Sequence, residues 1–194
     1  MPRLFTGIEI PAEIGERLAL LRGGLPGARW ITQENYHLTL RFVGDIDGHI
    51  AHEIADSLGR VQRFGFDVSI DGLGSFGTRK PHALIARVPP SRPLVELQSE
   101  HERLLQRLGL PPDQRKFTPH ITLARLRGSS GRDVAEYLTT RGGFFSEPIP
   151  VSRFVLFSAR SSVGGGPYVV EEAYPLLPPA PAFTEDYDGQ PLNR

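Results

Sequence analysis

Residues 36–43, Tyr36-His37-Leu38-Thr39-Leu40-Arg41-Phe42-Val43, and residues 117–126, Phe117-Thr118-Pro119-His120-Ile121-Thr122-Leu123-Ala124-Arg125-Leu126, decide how this chain is read. Each holds a His, an aliphatic residue, a Thr and a Leu in that order. The first stretch alternates as a β-strand does. Tyr36, Leu38, Leu40 and Phe42 face one way, and His37, Thr39, Arg41 and Val43 the other. With 6 His and 9 Thr in 194 residues, a Thr two places after a His is expected about 0.3 times by chance. It occurs twice, both times in the same local setting. Side chains at i and i+2 of a strand point the same way. Each strand therefore presents an imidazole and a hydroxyl on one face, and Leu38 with Leu40, or Ile121 with Leu123, anchors the other.

Working outward from these strands, helical and extended patterns alternate. Residues 3–10 and 82–88 read as strands, and 64–70 alternates through Phe64, Phe66, Val68 and Ile70. Pro11 opens a helix with Ile14, Leu18 and Leu21 on one side, stopped by Gly23-Gly24. Residues 48–60, 93–109 and 131–141 read as further helices, and the glycine-rich stretch 71–81 as a turn. Residues 149–157 and 167–174 suggest a hairpin about Gly164–Gly166. The two halves rhyme, which predicts an α+β fold. Two pseudo-symmetric lobes of antiparallel sheet, near 1–85 and 86–177, would carry their helices outside and share a central cleft. The expectation is one cooperative domain over 1–177, followed by a loose tail over 178–194 whose Pro, Ala, Asp and Gly have little to bury.

Composition narrows the chemistry. There is no Cys, which removes disulfides, thiolate metal sites and thiol nucleophiles. No apolar run nears the roughly 20 residues of a membrane helix. Met1-Pro2-Arg3-Leu4-Phe5 does not read as a secretory leader, so a cytoplasmic protein is expected. Twenty-two basic residues balance 22 acidic ones, which disfavours long duplex DNA held by a global field. Lys80 and Lys116 are the two Lys, so 22 − 2 = 20 cations are Arg, the residue suited to bidentate phosphate binding. Nothing suggests an obligate protein partner, and a monomer is expected. Gly72, Gly74 and Gly77 do not fit a dinucleotide-binding loop, and no G-x-S-x-G elbow is present.

Two imidazoles and two hydroxyls about one space suit a particular task. An imidazole titrates near pH 6.5, so a general base and a general acid can coexist near neutrality. Threonine hydroxyls donate to anionic oxygens. A phosphodiester uses all four groups, and a strained cyclic phosphodiester uses them best. No third or fourth ligand accompanies the two His, so no metal or other cofactor is expected. His49 and His52 read as exposed helix residues, and His82 and His101 receive no role. Phe5 and Phe117 read first as core and second as platforms for a base. Arg41, in phase with His37 and Thr39, would cap the cleft rim or pair with an acid. Arg125 falls on the face opposite His120 by a simple strand count, and reaches the cleft only past a twist or bulge.

The paired His-x-Thr-x motifs, the opening stretch 3–11 and the segments 29–45 and 116–127 resemble the 2H phosphoesterase superfamily. Within it they are similar to the bacterial and archaeal RNA 2′,3′-cyclic phosphodiesterases, also called the 2′-5′ RNA ligase family. The resemblance runs from about residue 2 to 176. It implies a bilobal fold and metal-independent opening of a terminal 2′,3′-cyclic phosphate to a 2′-phosphate. It further implies that His37 protonates the leaving 3′ oxygen and that His120 takes a proton from water. Thr39, Thr122 and Arg125 would bind the phosphate, and reversible 2′-5′ ligation is an expected companion activity. The residues themselves give the pair of histidines without that order. RNA 3′ ends and small cyclic nucleotides, cyclic ADP-ribose derivatives included, are the expected partners. A module that binds RNA ends without turnover is the alternative.

Overall fold

The computed structural model describes residues 3–159 and 166–178. Among these residues ten strands and four α-helices follow one another: β1 Arg3–Glu9, α1 Ala12–Ala19, β2 Ala28–Trp30, β3 His37–Asp45, α2 Gly48–Leu58, β4 Phe66–Val68, β5 Leu73–Phe76, β6 Ala83–Arg87, α3 Arg92–Arg107, β7 His120–Leu126, α4 Gly131–Arg141, β8 Ile149–Val151, β9 Arg153–Ala159 and β10 Tyr168–Pro175. Three of the four helices begin where a side chain satisfies free N–H groups, while α1 follows Pro11 without a side-chain cap. Asp47 caps α2, Ser91 caps α3, and Ser130 with Asp133 forms a capping box on α4.

Eight strands form one antiparallel sheet in the order β10-β9-β1-β3-β7-β6-β5, with β2 pairing β7 at its far end; β4 and β8 form a separate ribbon. The sheet is continuous through its middle by a single pair, Leu38 of β3 opposite Ile121 of β7. On either side of that pair the order mirrors itself: β3, β1, β9 one way and β7, β6, β5 the other. This is the two-lobed α+β architecture.

The lobes are not the two halves of the sequence. Strand β9, from the second half, pairs β1, and β5, from the first, sits beyond β6 on the β7 side. Helix α3 packs on β3, and α4 packs on β5. Tyr137 of α4 donates to the Leu21 carbonyl just past α1. The second half thus lends α3, β9 and β10 to the β3 side and the first half lends β2 and β5 to the β7 side, and a cut near residue 85 separates no lobe. The physical reason is pairing range: adjacent hairpin strands such as β5 and β6 find each other locally, while β9 closes on β1 across the whole chain. The stretch 71–81, read as a turn, contains edge strand β5. Gly74 lets Arg87 lie across it, a Cβ there falling 3.3 Å from the Arg87 Nε. Of the expected hairpin turn, Gly164 and Gly165 lie outside the described residues, as does the expected tail beyond residue 178.

The main core lies between the sheet and the helices and takes Leu38, Leu40, Leu97, Leu105, Ile121 and Leu123 among others. A second, small cluster of Phe5, Val155 and Phe157 occupies the other face of the β1–β9 half, with Tyr168 packed on it. Arg41 is 7% exposed. It pairs with Glu102 of α3, donates to the Phe42 carbonyl, and reaches the Pro111 carbonyl at 2.6 Å. Glu102 also accepts from the Asp113 N–H at 3.0 Å. Burial opposes ionisation of Glu102. The hydrogen bonds from Arg41, Gln106 and Asp113 outweigh it and hold its pKa below the usual carboxylate value. This network fixes the loop that leads into β7. Removing one member strands a buried charge, so Glu102→Ala is expected to cost about 3 kcal/mol, read from urea denaturation. A loss below about 1 kcal/mol would show the pair to be effectively solvated.

Candidate active site

Strands β3 and β7 show the same burial rhythm. His37, Thr39, His120 and Thr122 are half-buried, while Leu38, Leu40, Ile121 and Leu123 are in the core. One residue to either side of the Leu38–Ile121 pair, antiparallel geometry sets His37 across from Thr122 and Thr39 across from His120. The four side chains form a quadrilateral on one face, imidazoles on one diagonal and hydroxyls on the other. Diagonal Cα positions in such a pair lie about 7–8 Å apart.

The rings are held identically. His37 Nδ1 lies 2.8 Å from the Asn35 carbonyl, and His120 Nδ1 lies 2.6 Å from the Thr118 carbonyl. A carbonyl only accepts, so in each ring Nδ1 carries the hydrogen and Nε2 is left for the cleft. Each ring also leans on a phenylalanine from the third strand of its lobe: His37 on Phe157 at 5.5 Å, His120 on Phe76 at 4.7 Å between centroids. His37 is further enclosed by Phe5 at 4.8 Å and Tyr168 at 4.9 Å. Burial pushes the His37 pKa down to about 4; the Asn35 hydrogen bond opposes this, and nearby His120 and Arg125 add to it. His120 is lowered as well, by burial and by Arg125, against the Thr118 hydrogen bond. Both histidines and Arg125 therefore feel one another.

Both strands break phase at the same place. Thr6 pairs Arg41 and Gly7 pairs Thr39, so Leu40 is an extra residue on β3; Leu84 pairs Ala124 and Ile85 pairs Thr122, so Leu123 is an extra residue on β7. These β-bulges swing the following side chains round. Arg41 turns away from the cleft into the ion pair with Glu102, contrary to its expected place in phase with His37 and Thr39; of the two roles foreseen for it, it takes the acid pair. Arg125, expected on the far face unless a bulge intervened, comes onto the cleft face, exposed and within electrostatic range of both histidines. Phe42 takes the equivalent place on β3 and is 41% exposed. Phe5 is 2% exposed and stacks on Phe157 at 4.9 Å, and Phe117 packs against the main core, so neither is free to carry a base. Among the described residues no three His, Asp or Glu side chains come together in a way that could hold a metal ion.

A model of the LigT-like phosphoesterases matches the chain twice, over residues 8–86 and 87–168. The chain belongs to the LigT-like phosphoesterase family. The double match is the sequence counterpart of the mirrored sheet, one copy of the motif in each half. The chain is 30% identical over 165 residues to the RNA 2′,3′-cyclic phosphodiesterase of Escherichia coli K12, covering 84% of this chain and 89% of that protein. It is 31% identical over 176 residues to the enzyme of the same name from Thermotoga maritima MSB8, covering 87% and 92%. The crystal structure of E. coli LigT complexed with 3′-AMP superposes with a TM-score of 0.74 at 28% identity, over 91% of this chain and 99% of that one. This LigT-like chain has, among its described residues, no helix long and apolar enough to cross a membrane.

Both ring pKa values being depressed, both rings are neutral at pH 7. As pH falls from 6.5 toward 4, an unfolded chain takes up protons that the folded site refuses, so these residues cost stability over that window. Histidine resonances followed by NMR against pH should show a His37 midpoint near 4 and a His120 midpoint below 6.5. Inorganic phosphate should raise both, because an anion favours the charged form. Midpoints indifferent to phosphate would separate the two rings from any common anion.

Proposed function

We propose that this protein hydrolyses the 2′,3′-cyclic phosphate at RNA 3′ ends to a 2′-phosphate, with His37 as general acid and His120 as general base. The observation that carries the reading is the pair of identically tethered imidazoles on opposite corners of the quadrilateral. Displacement at phosphorus places the attacking and leaving oxygens roughly in line, on opposite sides of the phosphorus atom. Two Nε2 atoms on one diagonal serve those two oxygens. Thr39 and Thr122, on the other diagonal, donate to the two non-bridging oxygens, and Arg125 offsets their charge.

The proton inventory closes. Water attacks phosphorus and gives its proton to His120 Nε2. The P–O3′ bond breaks, and O3′ takes the proton of His37 Nε2. The product is a 2′-phosphate beside a free 3′ hydroxyl. The histidines have then exchanged protonation states and reset through solvent. With a 5′ hydroxyl in place of water as the nucleophile, the same step forms a P–O5′ bond, breaks P–O3′ and gives a 2′-5′ linkage, which we assign as the companion reaction.

The order of roles follows the surroundings. His120 is the more open ring, where a water molecule can reach its Nε2. His37 is enclosed by Phe5, Phe157 and Tyr168. There an arriving phosphate anion acts through a medium poor in water, so its attraction is strong and restores the proton that burial removes. The names of the E. coli and T. maritima relatives support the substrate class, and the 3′-AMP complex of E. coli LigT supports a nucleotide in the cleft.

Turnover of a nucleoside 2′,3′-cyclic phosphate should fall by about 10²–10⁴ in His37→Ala and in His120→Ala, with both variants folded by circular dichroism. EDTA should leave the wild-type rate intact, since acid, base and anion donors are all side chains of the chain. The acid must be protonated and the base free, with free-state values of about 4 for His37 and below 6.5 for His120. The bell of kcat/KM should therefore have both limbs below pH 6.5, and the bell of kcat should lie higher. A wild-type protein inert toward every cyclic phosphate would leave a binding module in place of an enzyme.

A further inference from the structure

Strand β2 is short, yet it places a second cation beside the cleft. Ala28, Arg29 and Trp30 pair with Leu126, Arg125 and Ala124, so Arg29 stands directly opposite Arg125. Ala28 and Trp30 pack against the main core, Trp30 lying 6.0 Å from Tyr137 of α4 between ring centroids. Ala124 and Leu126 are likewise core residues. Arg29 and Arg125 therefore both project from the opposite face, the one that carries His37, Thr39, His120 and Thr122. Both are exposed. Among the described residues neither donates a side-chain hydrogen bond, and neither has a carboxylate within ion-pair distance.

Two like charges on directly opposed residues repel, with Cβ atoms about 5 Å apart. Other arginines face a carboxylate, as Arg63 does Glu96 and Glu100, Arg153 does Glu9 and Arg41 does Glu102. Arg29 and Arg125 instead face each other on the cleft side, which places two positive charges where anions of a ligand would lie. One phosphate at the histidines can occupy Arg125. Arg29, one strand further out, is left to meet a second. On the other side of the cleft, the position equivalent to Arg125 is held by Phe42, with the Arg115 guanidinium 5.9 Å from its ring centroid. The two sides thus differ, one doubly cationic and one aromatic, and the ligand has a defined polarity.

We propose that Arg29 binds the internucleotide phosphate on the 5′ side of the reacting nucleotide, making this site selective for oligonucleotide ends over free cyclic nucleotides. The inference rests on the hydrolysis reading above and specifies its substrate. A ribose that presents its 2′,3′ edge to the histidines directs its base and its 5′ substituent away on diverging paths. The 5′ phosphodiester can then run to Arg29 while the base turns toward Phe42.

The test compares three substrates: adenosine 2′,3′-cyclic phosphate, the dinucleotide ApA ending in a 2′,3′-cyclic phosphate, and the same dinucleotide with a neutral methylphosphonate linkage. In the wild type, kcat/KM on the charged dinucleotide should exceed that on either other substrate by roughly tenfold, the worth of one charge-assisted hydrogen bond. In Arg29→Ala and Arg29→Gln the ratio should fall to near one, and Arg29→Lys should restore part of it. A wild-type ratio near one, or a ratio the substitutions leave unchanged, would overturn the proposal. Binding of dinucleotide 2′-phosphate by calorimetry reads the same contact without turnover. A roughly tenfold weaker affinity in Arg29→Ala supports the site, and an unchanged affinity refutes it. Failure of hydrolysis and failure of the Arg29 contact are thereby told apart.

Discussion

The site depends on one β-sheet contact. Leu38 and Ile121, both fully buried, form the pair through which β3 meets β7. Because side chains alternate along a strand, two aliphatic residues turned into the core force the residues on either side of each out onto the opposite face. Burial of Leu38 and Ile121 thereby sets the facing of His37, Thr39, His120 and Thr122 together. The antiparallel sense sets the diagonals. The apolar packing that holds the halves together puts the four groups on one face, and loop carbonyls then fix the orientation of the two rings.

The sheet is mirrored, but the chemistry is not. Each imidazole is tethered to a carbonyl two residues before it and rests on a phenylalanine of the third strand. The differences lie outside that shared frame. Phe5 and Tyr168 close around His37, whereas among the described residues Phe76 alone lies against the His120 ring; past the bulge β3 presents Phe42 where β7 presents Arg125. A symmetric frame supplies two Nε2 atoms of equal reach. Unequal surroundings then give the two rings different environments, the one around His37 the more enclosed.

The doubled His-aliphatic-Thr-Leu was legible because it is local: a period of two and four residue types suffice to state which side chains share a face. The swap of α3 and β9 between the lobes was not legible, because pairing of β9 with β1 joins residues at opposite ends of the chain, and no local pattern encodes it. The bulge stood between these extremes. In the first motif Leu40, Arg41 and Phe42 continue a perfect-looking alternation that conceals the break. In the second, Leu123-Ala124 sets two apolar residues side by side, and Arg125 follows. Because the motifs rhyme, the interruption visible in β7 was a clue to the one hidden in β3, and it would have turned Arg41 inward. Edge strand β5 was missed for another reason. Gly72, Gly74 and Gly77 carry turn propensity, but pairing with β6 at the edge of the sheet overrides it.

The inward Arg41 has a consequence for the histidine on the other strand. Replacing a buried ion pair by apolar groups of similar volume is often neutral for stability, so Arg41–Glu102 cannot be explained by stability alone. Its guanidinium also satisfies the Phe42 and Pro111 carbonyls, and Glu102 satisfies the Asp113 N–H. An apolar substitute would remove these partners from the two carbonyls and the N–H, and with them the anchor of the loop. That loop ends at Thr118, whose carbonyl holds His120 in its tautomer. The bulge after the first motif therefore helps to orient the histidine of the second: it sends Arg41 into the interior, Arg41 fixes the loop, and the loop presents the carbonyl that holds His120 Nδ1 and leaves Nε2 toward the cleft.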